Sequence, residues 1–437
     1  MEKIQPVKGT HDFYGLNAEK MRFVTDVFTS VSELYGYEEM VVPVLEHTEL
    51  FSRGTGESTD IVRKEMYTFD DKGGRSLSLR PEFTASVVRS ILSNKLYATQ
   101  DLPLKYYYSG PLFRYERPQL GRYREFHQFG VEAIGEDSPL LDSEVILTLV
   151  QSLTYLGFKD LVVKINCLGD KESRDNYRKA LKAYFEPHLS EMCEDCHARF
   201  EINPLRILDC KVPEDQAIVK GAPHLKDYLT EKSQERFKKT LQYLDDNGIK
   251  YIIDDNLVRG LDYYSEIVFE VSMSGDLSKY GALAGGGHYA SLVSDLGGPD
   301  MGGVGFACGL ERVVSVLDEL HLLDDIQETS DFYLIPVGEI DDRETLLLAT
   351  LLRSEGYQVN YSYKAQKVGA AFKKAVRKNA KFAVIYGEDE LARGVVKVKN
   401  LRTEEQVEVS LTPEEDFFAT LEKMMEEEHE HEHHYSH

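Results

Sequence analysis

The sequence predicts an α+β protein: an antiparallel β-sheet core flanked by helices, a helical insertion, and then a small α/β domain. Three observations carry that prediction. The strand-like runs Lys105–Tyr108 and Phe129–Ile134 flank a charged loop and read as one long antiparallel hairpin. Residues 171–246 turn charged and helical in pattern, with breaks at Pro187, Pro204 and Pro213. After a polar linker at 324–330, strand and helix alternate.

The elements follow in order. Residues 16–35 space Phe23, Val27, Val31 and Leu34 at helical intervals. Residues 40–44 read as a strand with Pro43 at an edge or bend. A helix is expected over 142–156 and a strand over 161–166. Strands return at 251–253 and 267–271, and a glycine-rich stretch at 281–309 leads into a helix over 310–320. The last domain reads as strand 332–337, helix 343–355, strand 357–361, helix 368–378 and strand 382–386. The expected divisions are 1–328 with its insertion at about 171–246, then 331–411, then an acidic, His-rich tail at 412–437. From Glu426 onward the tail is low in complexity and expected to be disordered, as a solvated end or an added tag.

The chain has 437 residues, 42% of them hydrophobic and 29% charged, enough apolar material for a sizeable core. That excludes a disordered chain or a fibre. No window approaches the ~18 uninterrupted apolar residues of a membrane helix. The start lacks the apolar region of a signal peptide, so a cytoplasmic protein with no membrane partner is expected.

The net charge of −24 argues against nonspecific nucleic-acid binding, but the charge is uneven. The last segment holds nine acids against Lys423 alone. Residues 364–381 hold seven bases (Lys364, Lys367, Lys373, Lys374, Arg377, Lys378, Lys381) and no acid. Such a stripe is either a specific polyanion site or a solvated helix face.

Five cysteines in a chain this long make no disulfide framework. Cys193-Glu-Asp-Cys196-His197 superficially matches a haem attachment pattern, which needs export. Cys193, Cys196, His197 and Cys210 could instead supply four zinc ligands. With no second C-x-x-C pair, structural thiols are the preferred reading, and no metal ligand is assigned.

Three arginine-bearing segments stand out: Phe113–Gln128 with Arg114, Leu257–Tyr264 with Arg259, and Gly303–Arg312. The planar fork of arginine grips phosphate oxygens two at a time. A nucleotide site without a phosphate loop needs several such forks, and nothing matches G-x-x-x-x-G-K-[ST]. Cys308 stands where a dinucleotide motif needs its third glycine, so the glycine-rich stretch reads as tight strand packing.

In order and combination these segments resemble the histidyl-tRNA synthetases, class II aminoacyl-tRNA synthetases. The resemblance runs from Gly9-Thr-His-Asp12 to about Leu411. Val42-Pro43 and the preceding helix match motif 1, the dimer element; Phe113–Phe126 matches motif 2; Gly303–Arg312 matches motif 3. Leu257–Tyr264 matches the signature peculiar to the histidine enzymes.

The resemblance implies a class II antiparallel catalytic core, a C-terminal α/β anticodon-binding domain and histidine–tRNA ligase activity. It implies ATP with Mg²⁺, L-histidine and histidine tRNA as partners, and a homodimer. Arg259 and Arg114 take the catalytic roles at the α-phosphate. Arg114, Glu116, Phe126 and Arg312 bind ATP, with Phe126 on adenine and Arg312 on the γ-phosphate. Glu82, Phe83, Thr84, Gln128, Glu132, Tyr263, Tyr264 and Tyr289 form the histidine pocket. Arg117, Gln119, Arg122 and Arg124 touch the tRNA acceptor end; Lys373, Lys374, Arg377 and Lys378 contact the tRNA from the last domain. Two positions depart from the usual family pattern: His288 where arginine is usual, and Phe83 where glycine is frequent. A catalytically silent relative, the regulatory subunit of a histidine-biosynthetic phosphoribosyltransferase, is the rival reading. It generally lacks the last domain and degrades the arginines, all of which are present here.

Overall fold

An amphipathic helix opens the first unit. α1 (Leu16–Leu34) buries Val24, Phe28 and Val31, a face turned from the expected stripe, so Phe23 and Leu34 lie exposed. The computed structural model describes residues 3–57, 59–117, 122–327, 329–364 and 366–434, side chains at 209 and from 427 onward excepted. β1 (Glu38–Glu39) follows, but residues 40–44 are not a strand. Pro43 offers no N–H to a ladder, and the Val42 carbonyl accepts from Arg80 Nη1 at 2.6 Å instead. β2 (Leu45–His47), α2 (Thr48–Phe51), β3 (Thr68–Asp70) and β4 (Ser76–Leu79) come next, with the three strands paired as a small antiparallel sheet. α3 (Thr84–Ser93) and α4 (Leu96–Thr99) lead to the central sheet.

β5 (Leu104–Phe113) and β6 (Glu125–Ile134) form the anticipated hairpin, registered from Leu104 opposite Ile134 to Phe113 opposite Glu125. α5 (Pro139–Tyr155) is capped by Ser138, whose hydroxyl accepts from the Leu140 amide at 3.2 Å, with Pro139 in its first turn. β7 (Leu161–Cys167) enters the insertion, which is helical as expected: α6 (Lys171–Phe185), α7 (Glu194–Ile202), α8 (Pro213–Val219) and α9 (Glu231–Asp246). The breaks fall at Pro187, Pro204 and Pro213 as expected: the preceding helix ends before each one, and each proline sits in the first turn of the next, where its missing N–H is harmless.

β8 (Tyr251–Ile253), β9 (Tyr264–Met273), β10 (Ala282–Tyr289), α10 (Leu292–Asp295), β11 (Gly303–Gly309) and α11 (Leu310–Glu319) complete the unit. The glycine-rich stretch is therefore two adjacent antiparallel strands. The sheet order is β1-β5-β6-β11-β10-β9-β7-β8, parallel only at its two ends. α1 packs on α5 and α11. Against the sheet, Phe83, Tyr108, Tyr263, Tyr264 and Tyr289 share one buried cluster.

The contact division falls between Asp324 and Asp325. The second unit contains β12 (Ser330–Pro336), α12 (Asp342–Ser354), β13 (Val359–Asn360), α13 (Val368–Arg377), β14 (Ala380–Tyr386), α14 (Glu388–Ala392), β15 (Val395–Asn400), β16 (Gln406–Ser410) and α15 (Glu414–His434). Its sheet is mixed, in the order β13-β12-β14-β15-β16. β12 lies parallel to β13 and β14, while β15 and β16 add antiparallel strands. The strand expected over 357–361 shrinks to two residues.

The segment after 411 is helical from Glu414, through the stretch from Glu426 expected to be disordered. Helix α15 runs through it, and Phe417 and Leu421, one turn apart, are fully buried in the core of this unit. Residues 435–437 lie outside the described residues.

Candidate active site

Three arginines reach one cleft of about 460 Å³ from three places in the chain. Arg114 follows β5, Arg259 precedes β9, and Arg312 stands in the first turn of α11. Phe126, Gln128, Glu116 and Arg122 line the same cleft.

Each arginine is held by its own partner. Arg114 Nε donates to the Pro81 carbonyl at 2.9 Å, and its guanidinium lies 5.2 Å from the centre of the Phe126 ring. Arg259 Nη1 meets Glu270 Oε2 at 3.2 Å. Arg312 Nη1 donates to the Ala282 carbonyl. Glu311 lies beside it and accepts from the His127 amide at 2.8 Å and lies 2.8 Å from His127 Nδ1, tying α11 to β6.

The glycine strands make room for this arrangement. A Cβ on Gly285 would fall inside the Arg259 guanidinium, and one on Gly305 would fall on the Glu132 carboxylate. Both glycines are needed for close approach, so tight packing and site geometry are the same fact.

The polar floor is Glu132, on β6 beyond Gln128. It is 1% exposed. Its Oε1 accepts from Thr84 Oγ1 at 2.7 Å and Tyr108 OH at 3.0 Å; its Oε2 accepts from Tyr289 OH at 2.8 Å. Burial pushes its carboxyl up to about 7 against those three donors. Glu82, also buried, accepts from the Ala85 amide at 3.1 Å and Thr55 Oγ1 at 3.2 Å, and burial again raises its carboxyl. Tyr263 packs 4.7 Å from Tyr264 and 5.6 Å from Tyr289 by ring centres. Thr84, Glu132, Tyr263, Tyr264 and Tyr289 are thus brought together. Phe83 is placed differently: it is stacked on Tyr108 at 4.3 Å under the Arg80 guanidinium, a wall residue rather than a facing one.

Arg117 and Arg122 are exposed, and Arg124 lies with its guanidinium 4.0 Å from the centre of the Tyr115 ring. Gln119 lies outside the described residues. In the second unit, Lys373, Lys374 and Arg377 line an open hollow with Phe372 and Val376. Lys374, Arg377 and Lys378 line another with Tyr361 and Tyr363. None of these four bases forms an ion pair among the described residues.

Sequence reasoning missed one participant. Arg206, from the insertion, lines the cleft and donates to the Gly260 carbonyl at 2.9 Å and to Asp262 Oδ1 at 3.0 Å. Asp262 therefore faces Arg206, not Arg259. No local pattern pairs residues that far apart. His288 is buried in a network, with Nδ1 3.1 Å from Asp142 Oδ1 and 3.2 Å from Arg236 Nη2.

Comparison with known proteins agrees along almost the whole chain. The Histidyl-tRNA synthetase family model matches residues 9–313, and the Anticodon binding domain model matches 331–421. A histidine–tRNA ligase from Geobacillus sp. (strain WCH70) is 47% identical over 407 residues, 92% of this chain and 96% of that protein. The Bacillus subtilis (strain 168) histidine–tRNA ligase is 46% identical over the same shares. The crystal structure of apo S. aureus histidyl-tRNA synthetase covers 96% of this chain and 99% of its own, with 36% identity and a TM-score of 0.81.

Proposed function

The chain belongs to the histidyl-tRNA synthetase family, and on that premise we propose how its own residues carry the reaction. It is a histidine–tRNA ligase: L-histidine and ATP give histidyl-adenylate and pyrophosphate, and the histidyl group then passes to the 3′ end of histidine tRNA.

The observation that carries our reading is that Gln128, which lines the arginine cleft, and Glu132, buried at the floor of the tyrosine cluster, lie on one face of β6. ATP lies in the arginine half with adenine on Phe126 and the γ-phosphate on Arg312. ATP enters as its Mg²⁺ complex, and Glu65 and Glu116 supply the acidic side of the cleft. Burial and the Glu116 charge both push the Glu65 carboxyl up, a strain that a divalent cation relieves. Histidine lies in the tyrosine half. Glu82 takes its ammonium, which gives that buried carboxylate a countercharge, and Glu132 with Tyr264 takes the imidazole. Thr84, Tyr263, Tyr289 and Gln128 line the pocket, and Phe83 supports it from behind.

The histidine carboxylate oxygen then attacks the α-phosphorus in line. A new O–P bond forms as the bond to the bridging oxygen breaks, and pyrophosphate leaves. Catalysis is positioning plus charge stabilisation by Arg114 and Arg259, without proton transfer by a side chain. The acceptor end of tRNA meets Arg117, Gln119, Arg122 and Arg124, and Lys373, Lys374, Arg377 and Lys378 hold the tRNA from residues 331 onward. The tRNA substrate places this work in the cytoplasm; no helix among the described residues is long and apolar enough to cross a membrane.

Arg259 tests the reading. Arg259→His is expected to slow histidine-dependent ATP–pyrophosphate exchange by about 10²-fold or more, the range for losing one preorganised donor. Histidine binding, measured by calorimetry, changes far less. Near-normal exchange in that variant removes Arg259 from the transition state.

A further inference from the structure

A second polar cluster lies in the insertion, outside the cleft. Cys193 caps α7 and Cys196 lies in its first turn; Cys210 closes the 3-10 turn Pro204–Asp209; Asp215 stands in the first turn of α8. One ligand atom from each, three Sγ and a carboxylate oxygen, all fall within 4.8 Å of one another. Cys193 Sγ is 3.9 Å from Cys210 Sγ, and Cys210 Sγ is 3.1 Å from Asp215 Oδ2. Zn–S bonds of about 2.3 Å at a tetrahedral centre put neighbouring sulfurs ~3.8 Å apart. A disulfide needs about 2.05 Å. The observed spacing is that of a ligand tetrahedron's edge.

Burial strengthens the case. Cys196, Cys210 and Asp215 are buried, with Asp215 only 1% exposed. Among the described residues no cation pairs with Asp215, whose oxygens lie 3.2 and 3.3 Å from the Cys193 amide that donates to them. A carboxylate buried without countercharge is unfavourable, as any buried unpaired ion is. A divalent cation at the centre of the four groups removes that penalty. His197, the fourth ligand suggested by the spacing alone, is exposed and outside the cluster.

We propose that this module holds one structural Zn²⁺ on Cys193, Cys196, Cys210 and Asp215. Three soft sulfurs with one carboxylate suit zinc, and four protein ligands leave no open position for chemistry. On binding, three S–H bonds break and three Zn–S bonds form, with three protons released to solvent. The ligands come from three separate segments of a small core that has no disulfide, so the ion cross-links them. The chain between Cys196 and Cys210 carries Asn203 and Arg206, which hold Asp262 and Gly260 beside Arg259. The zinc therefore fixes the module edge against the loop that presents Arg259. The metal assignment itself stands whether or not the ligase reading does.

The test uses the full chain with the tail histidines changed (His429→Asn, His431→Asn, His433→Asn, His434→Asn, His437→Asn), purified reduced and without a metal column. Elemental analysis is expected to find about one zinc per chain, as a closed four-ligand site requires. Blocking the thiols with a mercurial should release it to a chromophoric chelator. Cobalt exchanged into the site should show sulfur-to-cobalt charge transfer and tetrahedral d–d bands. Cys196→Ser should lose the metal, and Asp215→Asn should hold it more weakly while the chain still folds. The release and cobalt arms need no variant to fold. Zinc that disappears with the tail histidines, iron in its place, a Cys193–Cys210 disulfide by mass spectrometry, or a reduced chain that takes up neither zinc nor cobalt would each overturn the assignment.

Discussion

Glu132 receives three hydroxyl donors and no cation among the described residues, which makes its charge sensitive to pH. Burial raises its carboxyl to about 7 from the ordinary value of 4.5. Between those values the folded chain keeps a proton that the unfolded chain has lost. Its contribution to stability is therefore full below about 4.5, falls as pH rises, and is lost above about 7. Glu132→Gln removes this titration. Relative to the variant, the wild type should lose roughly 3 kcal/mol of unfolding free energy across that window, because each tenfold difference in proton affinity between the folded and unfolded chain is worth about 1.36 kcal/mol. Calorimetry of both proteins at pH 5 and 7.5 reads the difference, and parallel profiles would contradict it. At this scale the arginines, the tyrosines and Glu132 were legible, because each sits in a short recognisable string. The clearance at Gly285 and Gly305 was legible only as packing, since what a glycine makes room for lies on another strand. Asp215 was invisible: nothing local marks a lone aspartate as the partner of three cysteines.

Among the elements, α13 carries a charge pattern with a purpose of its own. Ala371 and Ala375 face the core, while Lys373, Lys374, Arg377 and Lys378 remain without ion pairs among the described residues, the last three beside Tyr361 and Tyr363. Basic side chains next to aromatic rings suit a single-stranded or looped RNA, with phosphates on the charges and bases on the rings. Neutralising the four bases removes up to four phosphate contacts, each contributing about −0.7 to −0.9 to the salt slope. tRNA affinity should fall and lose salt dependence, while tRNA-independent pyrophosphate exchange stays intact. Lost exchange with unchanged tRNA affinity would assign the stripe to the catalytic half instead. Long elements with one clear period, such as β5, β6 and α12, were readable from sequence. α1 was found but with its face turned, because Phe23 and Val24 both fit a helical stripe and only packing chooses between them. β15 escaped notice although Val396 and Val398 alternate with Lys397 and Lys399 in the strand manner. α15 was hidden by its acids, which mask the Phe417–Leu421 pair.

For the molecule as a whole, the exposed apolar residues near the N-terminus call for a partner. Leu34 is 73% and Val41 85% exposed, although Val42 beside it is in the core. We propose that this face makes a homodimer. A two-fold interface of this kind repeats one patch on both copies and buries about 2,000 Å² or more when obligate. The 49.8 kDa chain should sediment at twice its mass, and Leu34→Asp with Val41→Asp should release inactive monomer. A wild-type monomer with full activity would rule the dimer out. The glycine strands carry a consequence of another kind, for inhibition. A compound lying along β10 and β11 meets glycine backbone whose N–H and C=O groups are already spent on the neighbouring strands, so it finds a flat face with no side chain to recognise. Selective chemistry against this site gains nothing there. Its foothold is the rim supplied by the insertion, where Arg206 leans a charged side chain into the cleft from outside the sheet.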